Sequence, residues 1–563
     1  MKLRDLVAGI AQFERSPLAE ALEITSITDD SRHAGPGCLF VARPGTKTDG
    51  RAFIADAVAR GAAAVLFDDS DGSADPCPPG STVVRVRVNS RGSGGRAAAS
   101  AGAAGVAAAV VAAAGATQAN AGPSAINLAA CRLAERLEGD PSEWLRVVGI
   151  TGTNGKTTIA FLVQQLVRAA APAGDPGCGL IGTVLVDDGH EAKPADLTTP
   201  SGIQISAAMG RMVRNRCTAC AMEVSSHALD QGRASAVRFR AGVFTNLTGD
   251  HLDYHGTMEA YAAAKAKLFT MLPADGTAVV NADDPWHAAM LAQCRARVLR
   301  CSVREGTADA EAGTLPSADW CVATIHEAKL GWQDVTLAGP WGKPRLKLPL
   351  VGRHNAMNAL QAAAAAHSIG VPAAALVQAL AACKAPPGRL EPVTTPDDPF
   401  AVLVDYAHTD DALLNVLTAL RPLVGKGGRL ITVFGCGGDR DRTKRPRMMR
   451  VACMHSDRVV VTSDNPRTEE PESIMDQVVA GRPEGAELRA TSVQRQVDRA
   501  RAIELAVQEA RAGDIVLVAG KGHEDYQIIG TEKRPFDDRL VALAALGRQP
   551  QVASTRVAAG SAA

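Results

Sequence analysis

Short apolar runs, each closed by Gly, Asn or Asp, alternate with longer stretches of helical character along most of this chain. The runs Leu39-Phe-Val-Ala42 and Ala63-Ala-Val-Leu-Phe67 predict buried strands over 39–42 and 63–67, with a helix over 53–60 between them. The run Arg146-Val-Val-Gly-Ile150 predicts a strand that enters a Gly-rich turn, followed by a helix over 158–171. Further on, strands are predicted over 402–405, 430–434, 459–462 and 515–518, separated by helical stretches. Strands alternating with helices imply α/β domains built on parallel sheets. In such sheets ligands bind beyond the carboxyl ends of the strands.

The pattern fails in two places. Ala and Gly fill 22 of the 33 positions in 92–124, too few large side chains to offset the entropy of ordering, so this is expected to be an insertion. The tail 549–563 has the same character. The resulting partition is an N-terminal domain over 1–145, a central domain over 146–388, a C-terminal domain over 389–548 and the tail. A length of 563 residues agrees with roughly three or four domains.

Composition narrows the function. Sixty basic residues against sixty acidic ones give a net charge of zero, which argues against a nucleic-acid binder. The uncharged stretch 97–131 is Ala/Gly-rich and too weakly apolar for a membrane span, and the N-terminus lacks a secretory pattern. Twelve scattered cysteines fit reduced thiols in a cytoplasmic protein. Cys217 and Cys220 make the one CxxC, without the further ligands that structural zinc needs. A monomer is expected.

The strongest chemical signal is Gly152-Thr-Asn-Gly-Lys-Thr-Thr158. Backbone amides of such a turn wrap phosphate oxygens, and the next helix adds its N-terminal dipole. Lys156 is placed to reach β/γ-phosphates, and the Thr157 hydroxyl to ligate Mg²⁺. The spacing is a variant of the common phosphate loop, with Gly149 one position too early. Glu223 ends the apolar run 219–222, which puts a carboxylate at a strand tip. Arg467, after a predicted strand, offers a two-pronged cation for a carboxylate.

GTNGKTT after a strand resembles the Mur ligases, which add amino acids to the peptide stem of bacterial cell-wall precursors; folylpolyglutamate synthetases are their cousins. Glu223-Val-Ser-Ser-His227, Asn246-Leu-Thr-Gly-Asp-His-Leu-Asp-Tyr-His-Gly256, Tyr261-Ala-Ala-Ala-Lys265 and Pro387-Gly-Arg-Leu-Glu391 extend the resemblance. So do Asp405-Tyr-Ala-His-Thr409, Phe434-Gly-Cys-Gly-Gly-Asp-Arg-Asp441, Asp464-Asn-Pro-Arg467 and Gly520-Lys-Gly-His-Glu524, the last strings being similar to the family's third, diaminopimelate-adding type.

The resemblance implies three α/β domains, a central phosphate-loop domain and a Rossmann-like C-terminal one. It also implies ATP-dependent amide formation through an acyl phosphate, with Mg²⁺. Carried over residue by residue, ATP would meet Gly152, Thr153, Asn154, Gly155, Lys156, Thr157, Thr158, Asn355, Asn358, Arg389 and Asp405. Lys156, Glu223, His251 and Lys265 would be catalytic, with Thr157, Glu223, His251 and Lys265 around metal, Lys265 as its carbamate (N6-carboxylysine). The UDP-N-acetylmuramoyl-dipeptide would meet Ser31, Thr46, Lys47, Thr48, Thr198, Thr199, Ser225, Gln231 and Arg233. meso-Diaminopimelate would meet Arg440, Asp464, Asn465, Pro466, Arg467, Gly520 and Glu524.

Three departures from the family pattern stand out. Leu197 precedes Thr198-Thr199 where Asn is common, and His354 replaces an apolar residue near the expected adenine site. Asp410 stands where Pro often does, and it is expected to cap the next helix. Lys267 is expected to be a surface residue. Against the ligase stand a folylpolyglutamate-type ligase, a phosphate-loop switch or motor ATPase, and an inactive nucleotide-binding scaffold. The N-terminal unit and the DNPR string oppose the first, the third α/β unit the second, and intact Lys156, Glu223, His251 and Lys265 the last.

Overall fold

The computed structural model describes residues 1–44, 48–68, 76–79, 81–88, 123–305, 317–485 and 488–548. Most of the predicted insertion (92–122), the tail 549–563, and the candidate precursor contacts Thr46 and Lys47 lie outside the described residues. The chain forms two compact units. The first holds residues 1–326, 334–348 and 355–383; the second holds 327–333, 349–354 and the chain from Lys384 onward.

The first unit opens with five strands: β1 (Gln12–Phe13), β2 (Ser26–Thr28), β3 (Cys38–Val41), β4 (Ala64–Asp68) and β5 (Val84–Val88). Their order is β1-β5-β4-β3-β2, parallel except for the β1 edge. Because side chains alternate across a strand, Leu39, Val41, Leu66 and Val86 pack on one face with Ile126, Ala129 and Leu133 of helix Ala125–Leu137. Phe40, Val65 and Phe67 pack on the other with Ile54 and Ala57 of helix Ile54–Ala59. The predicted helix over 53–60 is therefore present, preceded by a 3₁₀ turn, Gly50–Phe53.

The second sheet runs through β6 (Arg146–Thr151), β7 (Cys178–Ile181), β8 (Leu185–Asp187), β9 (Ala192–Pro194), β10 (Ala219–Glu223), β11 (Phe239–Phe244), β12 (Thr277–Asn281), β13 (Arg297–Glu305), β14 (Trp320–Lys329), β15 (Trp332–Ala338) and β16 (Arg345–Leu348). Its order is β16-β15-β14-β13-β12-β11-β6-β10-β7-β8-β9. β6 lies at its centre, parallel to β10 and β11, and every residue after Arg146 in it is buried. Burial on both faces explains why β6 reads as a continuous apolar run.

The second unit contains β17 (Glu391–Pro392), β18 (Ala401–Asp405), β19 (Leu430–Phe434), β20 (Arg458–Val461), β21 (Ser492–Arg495), β22 (Ile515–Ala519) and a hairpin, β23 (Tyr526–Ile529) with β24 (Glu532–Pro535). The six-stranded sheet has the order β17-β18-β22-β19-β20-β21. Leu403, Leu430, Phe434, Val459 and Leu517 face Leu413, Leu417, Met448 and Ile474. Val402, Val404, Ile431, Val460 and Val516 face Ile503, Val507 and Ala542. Helices on both faces make this a doubly wound sheet. The expected cap at Asp410 is not found. The Thr409 hydroxyl accepts the Ala412 amide at 3.2 Å, and Asp410 is the first helical residue, its carboxylate 3.1 Å from Arg447 Nε. A hydroxyl one residue earlier suffices for the cap, and Asp410 gains the helix dipole instead.

One ion pair, between buried Arg445 and partly exposed Glu469, is expected to make this unit acid-sensitive. Glu469 receives both prongs of fully buried Arg445, at 2.9 and 3.0 Å, and the Asp439 amide at 2.6 Å. These bonds, Arg445's first, pull the Glu469 carboxyl from its usual 4.5 down to about 2. A depressed carboxyl contributes stability that is present above its unfolded value, and that is lost as pH falls from about 4.5 towards 2. Glu469→Gln is expected to lower stability at neutral pH and to flatten the acid limb, read from urea midpoints of the full chain between pH 2.5 and 7. An unchanged acid limb would assign the sensitivity elsewhere.

All twelve cysteines are free, and eleven are buried. Burial pushes the Cys178 thiol up to about 12 and raises Cys217 to about 11. Cys220 sits inside β10. Among the described residues no cluster of His, Cys, Asp and Glu with metal-holding geometry occurs, and no helix is long and apolar enough to cross a membrane.

Candidate active site

Three neighbouring strand ends build the centre of the first unit's site. Glu223 pairs in register with Ile150, and Phe244 with Thr151. The loops leaving β6, β10 and β11 therefore emerge side by side. Residues 152–155 form the turn, and the helix begins at Lys156, two residues earlier than its apolar pattern predicts. The turn is sewn to the β11 exit. The Asn154 amide donates to Asn246 Oδ1 at 2.9 Å, the Thr153 amide to the Asn246 carbonyl at 2.9 Å, and the Thr245 hydroxyl to the Asn154 carbonyl at 2.6 Å.

Two glycines are required there. Gly155, at φ 89°, precedes the helix, and a Cβ on it would stand 2.6 Å from Asn358 Oδ1. Gly152 has φ 147°, and a Cβ added to it would run into Thr245 Oγ1. Gly152→Ala is expected to cost about 2–3 kcal/mol from strain and displacement of Thr245. A urea midpoint within error of the wild type would contradict that packing.

Two lysines converge on the same carbonyl. Lys156 Nζ donates to the Gly152 carbonyl at 3.0 Å and to that of Thr153 at 2.8 Å. Lys265, on helix Met258–Thr270, donates to the Gly152 carbonyl at 2.8 Å and lies 4.3 Å over the Tyr261 ring. Lys265 is 1% exposed. Burial, then repulsion from Lys156, pushes its amine well below the ordinary lysine range. Tyr261 is fixed by its hydroxyl, 3.2 Å from Thr153 Oγ1.

Glu223 is fully buried at the end of β10. Its carboxylate accepts from the Thr157 hydroxyl at 3.1 Å, the Thr183 hydroxyl at 2.9 Å and the Thr183 amide at 2.8 Å. Among the described residues none of its hydrogen-bond partners is cationic. Thr183 was not among the sequence candidates. Nothing in Ile181-Gly-Thr183 marks it in the sequence; it follows β7, which pairs with β10. Thr158 is buried one residue after Thr157.

His251 lies among aromatic rings, within electrostatic reach of Lys156 and Lys265. It has φ 55° and packs edge-on against His227, with ring centres 4.9 Å apart. Its Nε2 is 3.6 Å from Asp250 Oδ2. Tyr254, His255 and Tyr261 complete the ring cluster. Desolvation among these rings lowers His227 to about 4 and His255 to about 4. Lys267 is partly exposed and ion-paired: it donates to Asp230 at 2.7 Å, and Asp230 also accepts from the Tyr254 hydroxyl at 3.0 Å.

The candidate precursor residues fall into two places. Thr198 and Thr199 join the Glu223 network, through Thr183 Oγ1 at 3.1 Å and the Glu223 carbonyl at 2.9 Å respectively. The Ser225 amide donates to Thr199 Oγ1 at 3.0 Å, and its hydroxyl caps helix Ser226–Asp230. Gln231 ends that helix, and Arg233 donates to the Thr199 carbonyl. Leu197, the departure noted above, is exposed. Ser31 opens a 3₁₀ turn in the N-terminal sheet and is buried, while Thr48 is exposed.

Of the remaining nucleotide candidates, Asn355 and Asn358 are buried in the first unit, where Asn358 Nδ2 donates to Asn355 Oδ1 at 3.1 Å. Arg389 and Asp405 belong to the second unit. The Arg389 guanidinium lies 4.6 Å over the Tyr406 ring. Asp405 accepts the Leu390 and Ala407 amides, both at 2.7 Å, and burial raises its carboxyl. His354, also in the second unit, is lowered to about 4 by burial.

The second unit gathers the acceptor candidates at the ends of β19, β20 and β22. Asp464-Asn-Pro-Arg467 follows β20, with Asp464 and Asn465 buried. Arg467 has φ 53°, a conformation uncommon for a side-chain-bearing residue. Hairpin β23–β24 holds it there: the Arg467 amide donates to the Ile528 carbonyl at 3.1 Å, and the Gly530 amide to the Arg467 carbonyl at 2.7 Å. Its guanidinium donates to the Gly438 carbonyl at 2.7 Å. Arg440 lies on the same loop as Gly438 and repels Arg467. Asn465 Nδ2 donates to Glu524 Oε2 at 2.9 Å, and Gly520, at φ 119°, comes close to the Asp464 carboxylate. Pro466 contributes its carbonyl, which packs on Gly438.

Family models match in three places: the Mur ligase family catalytic domain over 23–93, the Mur ligase middle domain over 150–366, and the Mur ligase glutamate ligase domain over 388–522. A UDP-N-acetylmuramoyl-L-alanyl-D-glutamate--2,6-diaminopimelate ligase of Synechococcus sp. (strain WH7803) is 43% identical over 530 residues, covering 93% of this chain and 94% of the relative. The protein of the same name from Gloeobacter violaceus is 41% identical over 549 residues, covering 98% and 99%. A solved structure with that name aligns with a TM-score of 0.59 at 29% identity, over 97% of this chain and 99% of the other. A folylpolyglutamate synthase from Mycobacterium tuberculosis shares the fold, with a TM-score of 0.55 at 20% identity, over 76% of this chain and 97% of its own. Identity above 40% across more than nine-tenths of the sequence leaves no room for shared architecture alone, and the chain belongs to the Mur ligase family.

Proposed function

We propose that this protein joins meso-diaminopimelate to UDP-N-acetylmuramoyl-L-alanyl-D-glutamate, at the cost of ATP, in the cytoplasm. The observation that carries the reading is that one chain holds both a phosphate loop beside buried Glu223, in the first unit, and, in the second, a cluster with Arg467 and Glu524. The three domains we assign are 1–145, 146–388 and 389–548.

A carboxylate is a poor electrophile until it is phosphorylated. The precursor's terminal carboxylate attacks the γ-phosphoryl group, ADP leaves, and the acceptor amine then displaces phosphate from the acyl phosphate. The first step brings anions together, so fixed positive charge must be placed around the transferring group. Lys156 and the 152–158 amides supply it. Thr157 and Glu223 offer hard oxygen donors, a buried carboxylate without a cationic partner, and these suit Mg²⁺. Bound there, the ion would neutralise charge on the phosphates. His251 and a carbamate on Lys265 complete the proposed donor set. A buried, neutral-leaning amine beside a second ammonium favours that conversion, in which the amine nitrogen bonds CO₂ and releases a proton. Thr198, Thr199, Ser225, Gln231 and Arg233 are assigned to the precursor's peptide, and Ser31 and Thr48 to its nucleotide end. Asn355, Asn358, Arg389 and Asp405 are assigned to the adenosine part of ATP.

The test is phosphate release by the full chain with ATP, Mg²⁺ and the UDP-dipeptide, with meso-diaminopimelate, L-lysine or no amine. A tripeptide-sized product formed only with diaminopimelate is expected. Turnover of lysine instead would retain the ligase and overturn the acceptor, and release without an amine would overturn the ligase.

A further inference from the structure

We propose that Lys521 is a positioning residue for the acceptor amino acid, a buried ammonium that holds Glu524 and Asn465 in place beneath the acceptor's distal ammonium. The inference rests on the assignment of the 464–467 and 520–524 loops to the acceptor.

Lys521 is fully buried, a state in which a lysine is almost never found without partners. Its Nζ lies 3.1 Å from Asn465 Oδ1, 3.2 Å from Glu524 Oε2 and 3.6 Å from Asp464 Oδ1. Asn465 is thereby oriented completely. Its oxygen accepts from Lys521 and from the Ile528 amide at 2.9 Å, so its nitrogen must point at Glu524, to which it donates at 2.9 Å. One ammonium thus sets an amide and two carboxylates on two separate loops.

Charge makes the arrangement more than a brace. Two desolvated carboxylates, Asp464 and Glu524, share this pocket. Burial raises the Glu524 carboxyl and Asp464 raises it further, while Lys521 is the foremost influence lowering it and Asn465 adds to that. The other charged and titratable groups around it are Arg467, which faces Asp464 and Glu524, Tyr406 and Tyr526, which feel both carboxylates, and Arg499, which is neutralised by Asp538 at 2.7 Å. Without Lys521, the foremost influence holding the Glu524 carboxyl down is gone, and its titration moves further up from the ordinary carboxylate range. A protonated Glu524 no longer presents a charge to an ammonium, and its bond from Asn465 is weakened.

The experiment compares steady-state constants of the full chain as wild type, Lys521→Met, Glu524→Gln and the double variant between pH 6.5 and 9.5. For Lys521→Met the KM for meso-diaminopimelate is expected to rise at least about 30-fold at pH 7 and to recover as pH rises, while the KM for ATP holds. Adding Glu524→Gln should abolish that pH-dependent recovery. A KM defect independent of pH, or equal losses for acceptor and ATP, would overturn the proposal. If Lys521→Met does not fold, the infrared difference between wild type and Glu524→Gln decides: an ionised carboxylate at pH 7 supports the role, and a protonated one overturns it. Should Glu524→Gln alone leave the acceptor KM unmoved, the acceptor assignment falls, while the infrared band still reports on Lys521 and Glu524.

Discussion

Lys265→Ala is expected to lose about a thousandfold in turnover while the protein stays folded. The size follows from removing one fixed charge-stabilising group from a water-poor phosphoryl-transfer site. The retained fold follows from the residue's surroundings. Lys265 makes one hydrogen bond, to the Gly152 carbonyl, and that carbonyl keeps Lys156 as a donor. Alanine suits the middle of helix Met258–Thr270, and the variant removes a buried amine that sits beside the Lys156 ammonium. If the working form is a carbamate, a small carboxylic acid diffusing into the space left behind should restore part of the rate. Methylamine should not. Full activity in the variant would remove Lys265 from the mechanism, and rescue by amines rather than acids would leave it there as a cation.

Arg467→Lys is expected to raise the KM for meso-diaminopimelate about 100-fold and to leave that for ATP unchanged. A guanidinium gives a carboxylate two parallel hydrogen bonds, and an ammonium gives one flexible contact. The wild-type side chain already spends one nitrogen on the Gly438 carbonyl, which aims the rest of the fork. Lysine can keep that bond and still touch a substrate carboxylate, but not with the two parallel bonds of the fork. Competition assays with L-lysine, which lacks the second carboxylate, separate the two explanations for a loss. If the variant handles both amino acids equally badly, Arg467 is holding the loop rather than the substrate.

Much of this site could be read from the chain because its chemistry is local. Gly152 to Thr158 carries strand, turn and helix in one string, and each residue's task follows from its neighbours. Glu223 was legible as an acid closing an apolar run. Thr183 was not, because nothing in Ile-Gly-Thr marks it, and it matters only once β7 lies beside β10. Lys521 was hidden in the same way. Its motif was visible, but its burial depends on Asp464 and Asn465 from a strand some sixty residues away arriving at the same sheet end. Nothing along the chain joins His227 to His255; they meet only because three helices bring five rings together. The helix cap was misplaced by one position since Thr409 and Asp410 are both good caps, and the choice was made by where the backbone turns. Strand ends differed from expectation by a residue or so for a similar reason: pairing with a neighbour, rather than apolar content, decides where a strand stops.

The left-handed backbone at Arg467 has a consequence for how such an enzyme could change its diet. The turn is held by two main-chain bonds to the neighbouring hairpin, and neither involves the side chain. The position is a socket whose frame is indifferent to what is plugged into it, apart from a bias against branched residues. If Arg467 meets the acceptor as proposed, a single codon change there alters what the site accepts without rerouting the loop. Selection on cell-wall chemistry could act here while the rest of the protein is left alone.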